Sequence, residues 1–137
     1  MEYQGRIVKG IGGFYYVDTA DGVLECRARG IFRKEKQTPL VGDMVRISYD
    51  PHAASGSVDE ILPRKCALLR PPVANVTQIA IVAAVANPKP NLYLLDKLIA
   101  AAEHEEIKPI LCWNKADLSR ADAYAEIYRS AGFRTLF

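Results

Sequence analysis

Four consecutive residues, Asn114-Lys115-Ala116-Asp117, carry side chains suited to holding a ligand, and they follow directly on the apolar run Ile110-Leu111-Cys112-Trp113. An Asp carboxylate is a fork of acceptors that can take both the ring N–H and the exocyclic amino group of guanine, a donor pair that adenine lacks. An Asn amide, donor and acceptor at once, can face the acceptor edge of that base and tie its own loop together. The Lys stem can lie along the flat of the ring. Asn114, Lys115 and Asp117 are therefore candidates for guanine recognition, against the alternative of a chance match in a surface loop.

The elements around the tetrapeptide give it a place. Gln78 to Val85 is a continuous apolar run, as expected for a parallel strand covered on both faces. Asn91 can cap a helix with Leu92, Leu95, Ile99 and Ala102 on one side, leading to a strand over 107–113. Ser119 with Asp122 makes a variant capping box for a second helix that Gly132 ends, and Phe133 to Phe137 begins another strand. The order β-α-β-loop-α-β describes a doubly wound half-domain with the tetrapeptide at a strand's carboxyl end, where open α/β sheets bind ligands.

A phosphate-binding G-x-x-x-x-G-K-[ST] would ordinarily follow the first strand of such a domain, but Asn87-Pro88-Lys89-Pro90 stands there and no such loop occurs in residues 1–137. Either the tetrapeptide is a coincidence, or the base-binding half comes first and the phosphate-binding half is expected after residue 137.

Residues 1–62 have a different period. Leu24, Cys26 and Ala28 alternate with Glu25, Arg27 and Arg29, and Val45, Ile47 and Tyr49 alternate with Arg46 and Ser48. Gly12-Gly13, Asp21-Gly22, Gly42-Asp43 and the Pro51 to Gly56 stretch divide the segment into strands near 3–10, 13–19, 22–29, 41–49 and 57–62. Five short strands suggest a small barrel, with the OB-fold as the leading candidate and an SH3-like barrel as the alternative. Gly10-Ile11-Gly12-Gly13 reads as a hairpin turn, since strand patterns flank it and no helix follows.

Within this barrel, Arg27 to Lys36 holds five basic residues against one acid, whereas the whole chain carries a net charge of only +2. Arg27, Arg29, Arg33, Lys34 and Lys36 are candidates for phosphate contacts, and Phe32 for stacking on a base. The bland alternative is a solvated loop with Phe32 as a core plug. Pro63 to Pro72 contains three prolines and breaks the strand pattern, so it reads as a stiff linker. The expected domains are 1–70 and 71–137.

Composition sets the class. The chain has 137 residues, half hydrophobic and a quarter charged, which is ordinary for a soluble protein of one or two small domains. No apolar run approaches a membrane span, and Met1-Glu2-Tyr3-Gln4 lacks the regions of a signal peptide, so a cytoplasmic location is expected. Cys26, Cys66 and Cys112 are odd in number, lie in apolar patterns and form no C-x-x-C pair, which favours buried thiols over disulfides or metal ligands. His52 and His104 are isolated, and a surface role is the default for each.

Several strings together resemble a known family. Gly30-Ile31-Phe32-Arg33-Lys34, Pro39-Leu40-Val41-Gly42-Asp43, Pro63-Arg64-Lys65, Arg70-Pro71-Pro72-Val73-Ala74-Asn75-Val76, Leu94-Leu95-Asp96-Lys97 and Asn114-Lys115-Ala116-Asp117-Leu118 occur in the order found in RsgA (YjeQ/YloQ), a family of circularly permuted GTPases that assist maturation of the small ribosomal subunit. The resemblance spans nearly the whole chain, although Thr77 stands where the family often has an acidic residue. It implies an all-β OB-fold barrel that binds the 30S subunit through 16S rRNA, followed by a partial α/β, permuted P-loop GTPase domain from near residue 70.

By position, Asn114, Lys115 and Asp117 would read guanine, and the Arg29 to Lys36 loop would lie toward the ribosome. The family's GTP/GDP–Mg²⁺ phosphate site, its catalytic residues and its C-terminal Zn²⁺ module match nothing in these residues. The chain by itself is therefore expected to be inactive, to hold no cofactor tightly and to be a monomer. The alternatives are a nucleotide-independent OB module for RNA and an α/β enzyme fragment.

Overall fold

A computed structural model describes residues Met1–Phe137, which form two compact units, Met1–Val76 and Thr77–Phe137.

The first unit contains the strands β1 (Glu2–Ile11), β2 (Phe14–Thr19), β3 (Gly22–Ala28), β4 (Met44–Asp50) and β5 (Ser55–Ile61), with a one-turn helix α1 (Ile31–Lys34) between β3 and β4. They close in the order β1-β2-β3-β5-β4. All pairs are antiparallel except β3 with β5, where Cys26 faces Gly56. This five-stranded closure, with a helix before the fourth strand, is an OB-type barrel and excludes the SH3-like alternative. The alternation seen in the sequence sends Ile7, Val17, Cys26, Val45, Ile47 and Val58 inward, all at most 1% exposed. Burial pushes the Cys26 thiol up to about 11, which leaves it protonated and unreactive at neutral pH.

The proline-rich segment, expected as a stiff linker, is instead folded. Ala67–Leu69 (β6) and Pro72–Ala74 (β7) form an antiparallel ribbon whose turn carries Arg70 and Pro71. The ribbon docks on the barrel through Ala74 N–H to the Val41 carbonyl at 2.9 Å and Asn75 Nδ2 to the Gly42 carbonyl at 3.0 Å. Gly42 has φ +96°, and a Cβ there would stand 2.0 Å from the Ala74 carbonyl oxygen, so only glycine admits this approach. The compact units divide at 76/77.

The second unit is a parallel sheet of β8 (Gln78–Ala84), β9 (Lys108–Asn114) and β10 (Arg134–Leu136), in the order β10-β9-β8, with helices α2 (Leu92–His104) and α3 (Asp122–Ser130) as crossovers. Both crossovers step the same way across the sheet, so right-handed connections put both helices on one face. Ile81, Val85, Leu111 and Trp113 pack there against Leu95, Ile99, Ala125 and Tyr128. The other face stays open: Val82 is 64% and Leu136 42% exposed, and Cys112 is half-buried. The expectation that β8 is covered on both faces therefore fails within these residues, since alternate side chains meet no layer.

The α2 cap is as expected, with Asn91 Oδ1 accepting from Leu94 N–H at 3.2 Å. The capping box of α3 does not form. Its N-cap is Ala121, without a side-chain bond, and Asp122 pairs with Arg120 Nε at 3.0 Å. Gly132, at φ +93°, follows the end of α3 as expected.

Tyr128 O–H donates to Asp96 Oδ1 at 2.9 Å, joining α3 to α2, and burial followed by this bond pushes the phenol up to about 12. A raised folded pKa contributes stability that is complete below the unfolded value near 10 and is lost as pH rises through 12. Tyr128→Phe should cost about 0.5–1.5 kcal/mol at neutral pH. In thermal melts the gap between wild type and variant should stay constant up to about pH 10 and narrow above it.

Candidate functional site

β9 ends at Asn114, which pairs with Ala84 of β8, and its carbonyl accepts from Val85 N–H at 3.0 Å. The chain then turns sharply. Lys115 lies in the left-handed region at φ +60°, a conformation that disfavours a residue bearing a Cβ. Three bonds hold it there. Asn114 Oδ1 accepts from Lys115 N–H at 2.9 Å, Leu118 N–H closes the turn on the Lys115 carbonyl at 2.9 Å, and Lys115 Nζ donates to the carbonyl of Asn87 in the loop after β8. Asn87 is itself left-handed at φ +47°. Backbone strain retained by surrounding bonds is a feature of functional loops.

Asn114, Lys115 and Asp117 are thus brought together, exposed, on one short loop at the carboxyl edge of two adjacent parallel strands. With Asn114 Oδ1 engaged by its own loop, its Nδ2 is left to donate to a base. The tie to Asn87 extends the Lys115 stem across the strand ends, where a ring could lie on it. The loop is rooted by Trp113, 2% exposed, whose ring stacks on Tyr124 at 5.6 Å and lies 6.0 Å from Tyr128.

The loop has donors and acceptors for a purine edge but no run of backbone N–H groups at a helix N-terminus for phosphates. No group of three His, Cys, Asp or Glu is arranged to hold a metal ion. The exposed side chains of Asn114, Lys115 and Asp117 offer hydrogen-bonding groups of the kind a purine edge requires.

In the barrel unit the basic run is only partly free. Arg29 Nε pairs with Asp59 Oδ1 at 2.8 Å, and Asp59 also accepts from the hydroxyls of Ser48 and Ser57. Phe32 is 5% exposed and plugs the barrel core, which corrects the expectation of an exposed stacking ring. The helix α1 turns Phe32 inward between Ile31 and Arg33, which stay outside.

Arg27, Arg29, Arg33 and Lys36 line a groove of about 840 Å³, whereas Lys34 lies outside it. The groove also contains the Gly12-Gly13 hairpin turn, Phe14 and Thr38, none of which the sequence marks as a site. The Arg27 guanidinium lies over the Phe14 ring, 4.5 Å from its centre. The pairing of Phe14 on β2 with Arg27 on β3 follows from hairpin register, and the only signal for it in the sequence was the spacing of each residue from the Asp21-Gly22 turn.

Comparison with known proteins agrees with these two parts. Residues 4–55 match a family model described as the RsgA N-terminal domain, and residues 61–137 one described as RsgA GTPase. The small ribosomal subunit biogenesis GTPase RsgA of Caldanaerobacter subterraneus subsp. tengcongensis is 48% identical over 136 residues, covering 97% of this chain and 46% of that protein. The protein of the same description from Ruminiclostridium cellulolyticum is 50% identical over 130 residues, covering 93% and 42%.

Among solved structures, YloQ, described as a circularly permuted GTPase, has a TM-score of 0.83 at 38% identity, and YjeQ from Thermotoga maritima 0.80 at 29%. Each comparison covers 99% of this chain and 51% of the other. The chain spans about half the length of the relatives it matches. With both family models in chain order and the second covering more than half of the residues, the chain belongs to the RsgA family of GTPases.

Proposed function

We propose that these residues form the ribosome-docking and guanine-reading parts of a cytoplasmic GTPase that acts as a monomer in late maturation of the small ribosomal subunit. The barrel holds 16S rRNA, and Asn114, Lys115 and Asp117 select guanine. The observation that carries the reading is the loop at the end of β9, which presents these three exposed residues and ties Lys115 to Asn87. When bound, Mg²⁺ neutralises charge on the phosphates of GTP. Its ligands, the phosphate loop and any Zn²⁺ module belong to residues outside these. The relatives' names, which speak of small ribosomal subunit biogenesis, support the assignment of partner.

Base contacts alone should bind weakly. Two or three hydrogen bonds, each worth about 0.5–1.5 kcal/mol neutral or 1.5–3 charge-assisted, must offset an association cost of several kcal/mol. Millimolar affinity or weaker is expected. Calorimetric titration with GDP should show no micromolar binding by residues 1–137 and no GTP turnover. Both should appear in a chain extended to the length of its relatives. Micromolar GDP binding by the 137 residues alone would overturn the division of labour, and no GDP binding by the extended chain would leave a nucleotide-independent RNA module.

For the barrel, the free cations should set the salt dependence. Arg33→Ala with Lys36→Ala should weaken binding to 30S subunits and lower the log–log salt slope by roughly two. Arg29→Ala should have the smaller effect, because Asp59 already neutralises that charge. An unchanged slope in the double variant would move the ribosome-facing surface elsewhere on the barrel.

A further inference from the structure

The groove on the barrel has features that phosphate binding alone does not require. Four cations, Arg27, Arg29, Arg33 and Lys36, line it and no carboxylate does. They are not equivalent. Arg33 and Lys36 extend from α1 and the residues just after it, as flexible basic side chains that can follow a backbone. Arg27 instead lies over the Phe14 ring at 4.5 Å. The half-buried ring lies against the guanidinium, while Arg27 itself is exposed and lines the groove. A planar cation held in this way is a stacking surface for a nucleobase. Duplex RNA keeps its bases inside the helix, whereas an unpaired nucleotide presents a free face.

We infer that this groove takes an unpaired RNA nucleotide, its base stacked on the Arg27 guanidinium that Phe14 positions and its flanking phosphates on Arg33 and Lys36. The inference rests on the reading of the barrel as an RNA-binding domain and adds to it the kind of RNA and a division of labour. Arg27 reads the base plane, Phe14 is a positioning residue, and Arg33 and Lys36 carry the salt-dependent part. Stacking of this kind tolerates any base, so the subsite selects single-strandedness rather than sequence.

The test uses the 137-residue chain and three fluorescent RNAs: a short single strand, the same strand with abasic sites, and the strand annealed to its complement. Binding is followed by anisotropy over a range of salt. Arg27→Lys keeps the charge and removes the plane. It should lose about tenfold in affinity for the intact single strand, with the salt slope unchanged, and nothing for the abasic strand or the duplex. Phe14→Leu should show the same pattern, and Arg33→Ala should instead lower the slope for all three RNAs.

If Arg27→Lys binds the intact strand as wild type does, or loses equally on the duplex, Arg27 is only a phosphate contact and the subsite is overturned. If wild type binds none of the three RNAs, the RNA-binding reading itself falls. Because Arg27 is exposed, its Lys variant should fold normally, so the result does not depend on Phe14→Leu being stable.

Discussion

Asp43→Ala should destabilise the barrel unit by about 3–5 kcal/mol, read as a fall in the urea midpoint at unchanged slope. Asp43 is the one fully buried charged side chain, at 0% exposure. Both carboxylate oxygens are engaged: Leu40 N–H donates to Oδ2 at 2.8 Å, and Arg64 donates through Nε to Oδ1 and through Nη2 to Oδ2, both at 2.7 Å. Arg64 Nη2 also donates to the Thr38 carbonyl at 2.8 Å. One carboxylate thus joins the segment before β4 to the segment after β5.

Such a pair need not stabilise more than an apolar replacement of the same volume would, because desolvation offsets the attraction. Removing one member is different. Alanine at 43 leaves a partly buried guanidinium without its counter-charge and the Leu40 N–H without an acceptor. The bond to Asp43 is the main reason the Arg64 guanidinium holds its proton even more strongly than usual. Asp43→Ala with Arg64→Met should therefore recover much of the loss. If the double variant were as unstable as the single one, the damage would come from the Leu40 bond rather than from a stranded charge.

Asp117→Ala, made in the extended chain, should lower GDP affinity by roughly two to four powers of ten, from two charge-assisted bonds of about 1.5–3 kcal/mol each. The two guanine donors would then face a methyl group. Because Asp117 is exposed on its turn, the thermal midpoint should not move, so the loss would be one of recognition and not of folding. Asp117→Asn is the sharper version. An amide offers one acceptor and two donors in place of two acceptors, which suits xanthine, where a carbonyl replaces the exocyclic amine. Xanthosine diphosphate should gain affinity as GDP loses it, by competition calorimetry. Equal loss of both would show that the variant loop no longer reads the base edge.

What the sequence made legible was what adjacent residues decide. Asn91 caps α2 because an Asx side chain three residues before Leu94 reaches its N–H whatever surrounds it. The barrel strands follow from alternation, and the turn after β9 from the local bonds of Asn114 and Lys115. The failures needed distant partners. Phe32 sits among cations in sequence, yet one helical turn aims it into the core. Pro71 and Pro72 looked like a stiff connector because the partner that folds them, the edge near Val41 and Gly42, is some thirty residues away. Ser119 lost the α3 cap to Ala121, since Ala121 is only 3% exposed and its packing fixes where the helix begins. The stacked pair of Phe14 and Arg27 is a product of strand register, which alternation alone leaves open.

Trp113 immediately precedes the Asn114 to Asp117 loop, and it is the only tryptophan in the chain. Its Nε1–H is buried without a hydrogen-bond partner, and two tyrosine rings flank it. An indole kept from water in this way emits at short wavelength and collects excitation from the neighbouring phenols. The chain thus carries an intrinsic fluorophore, one peptide bond from Asn114, that would test the proposed purine site without any added label.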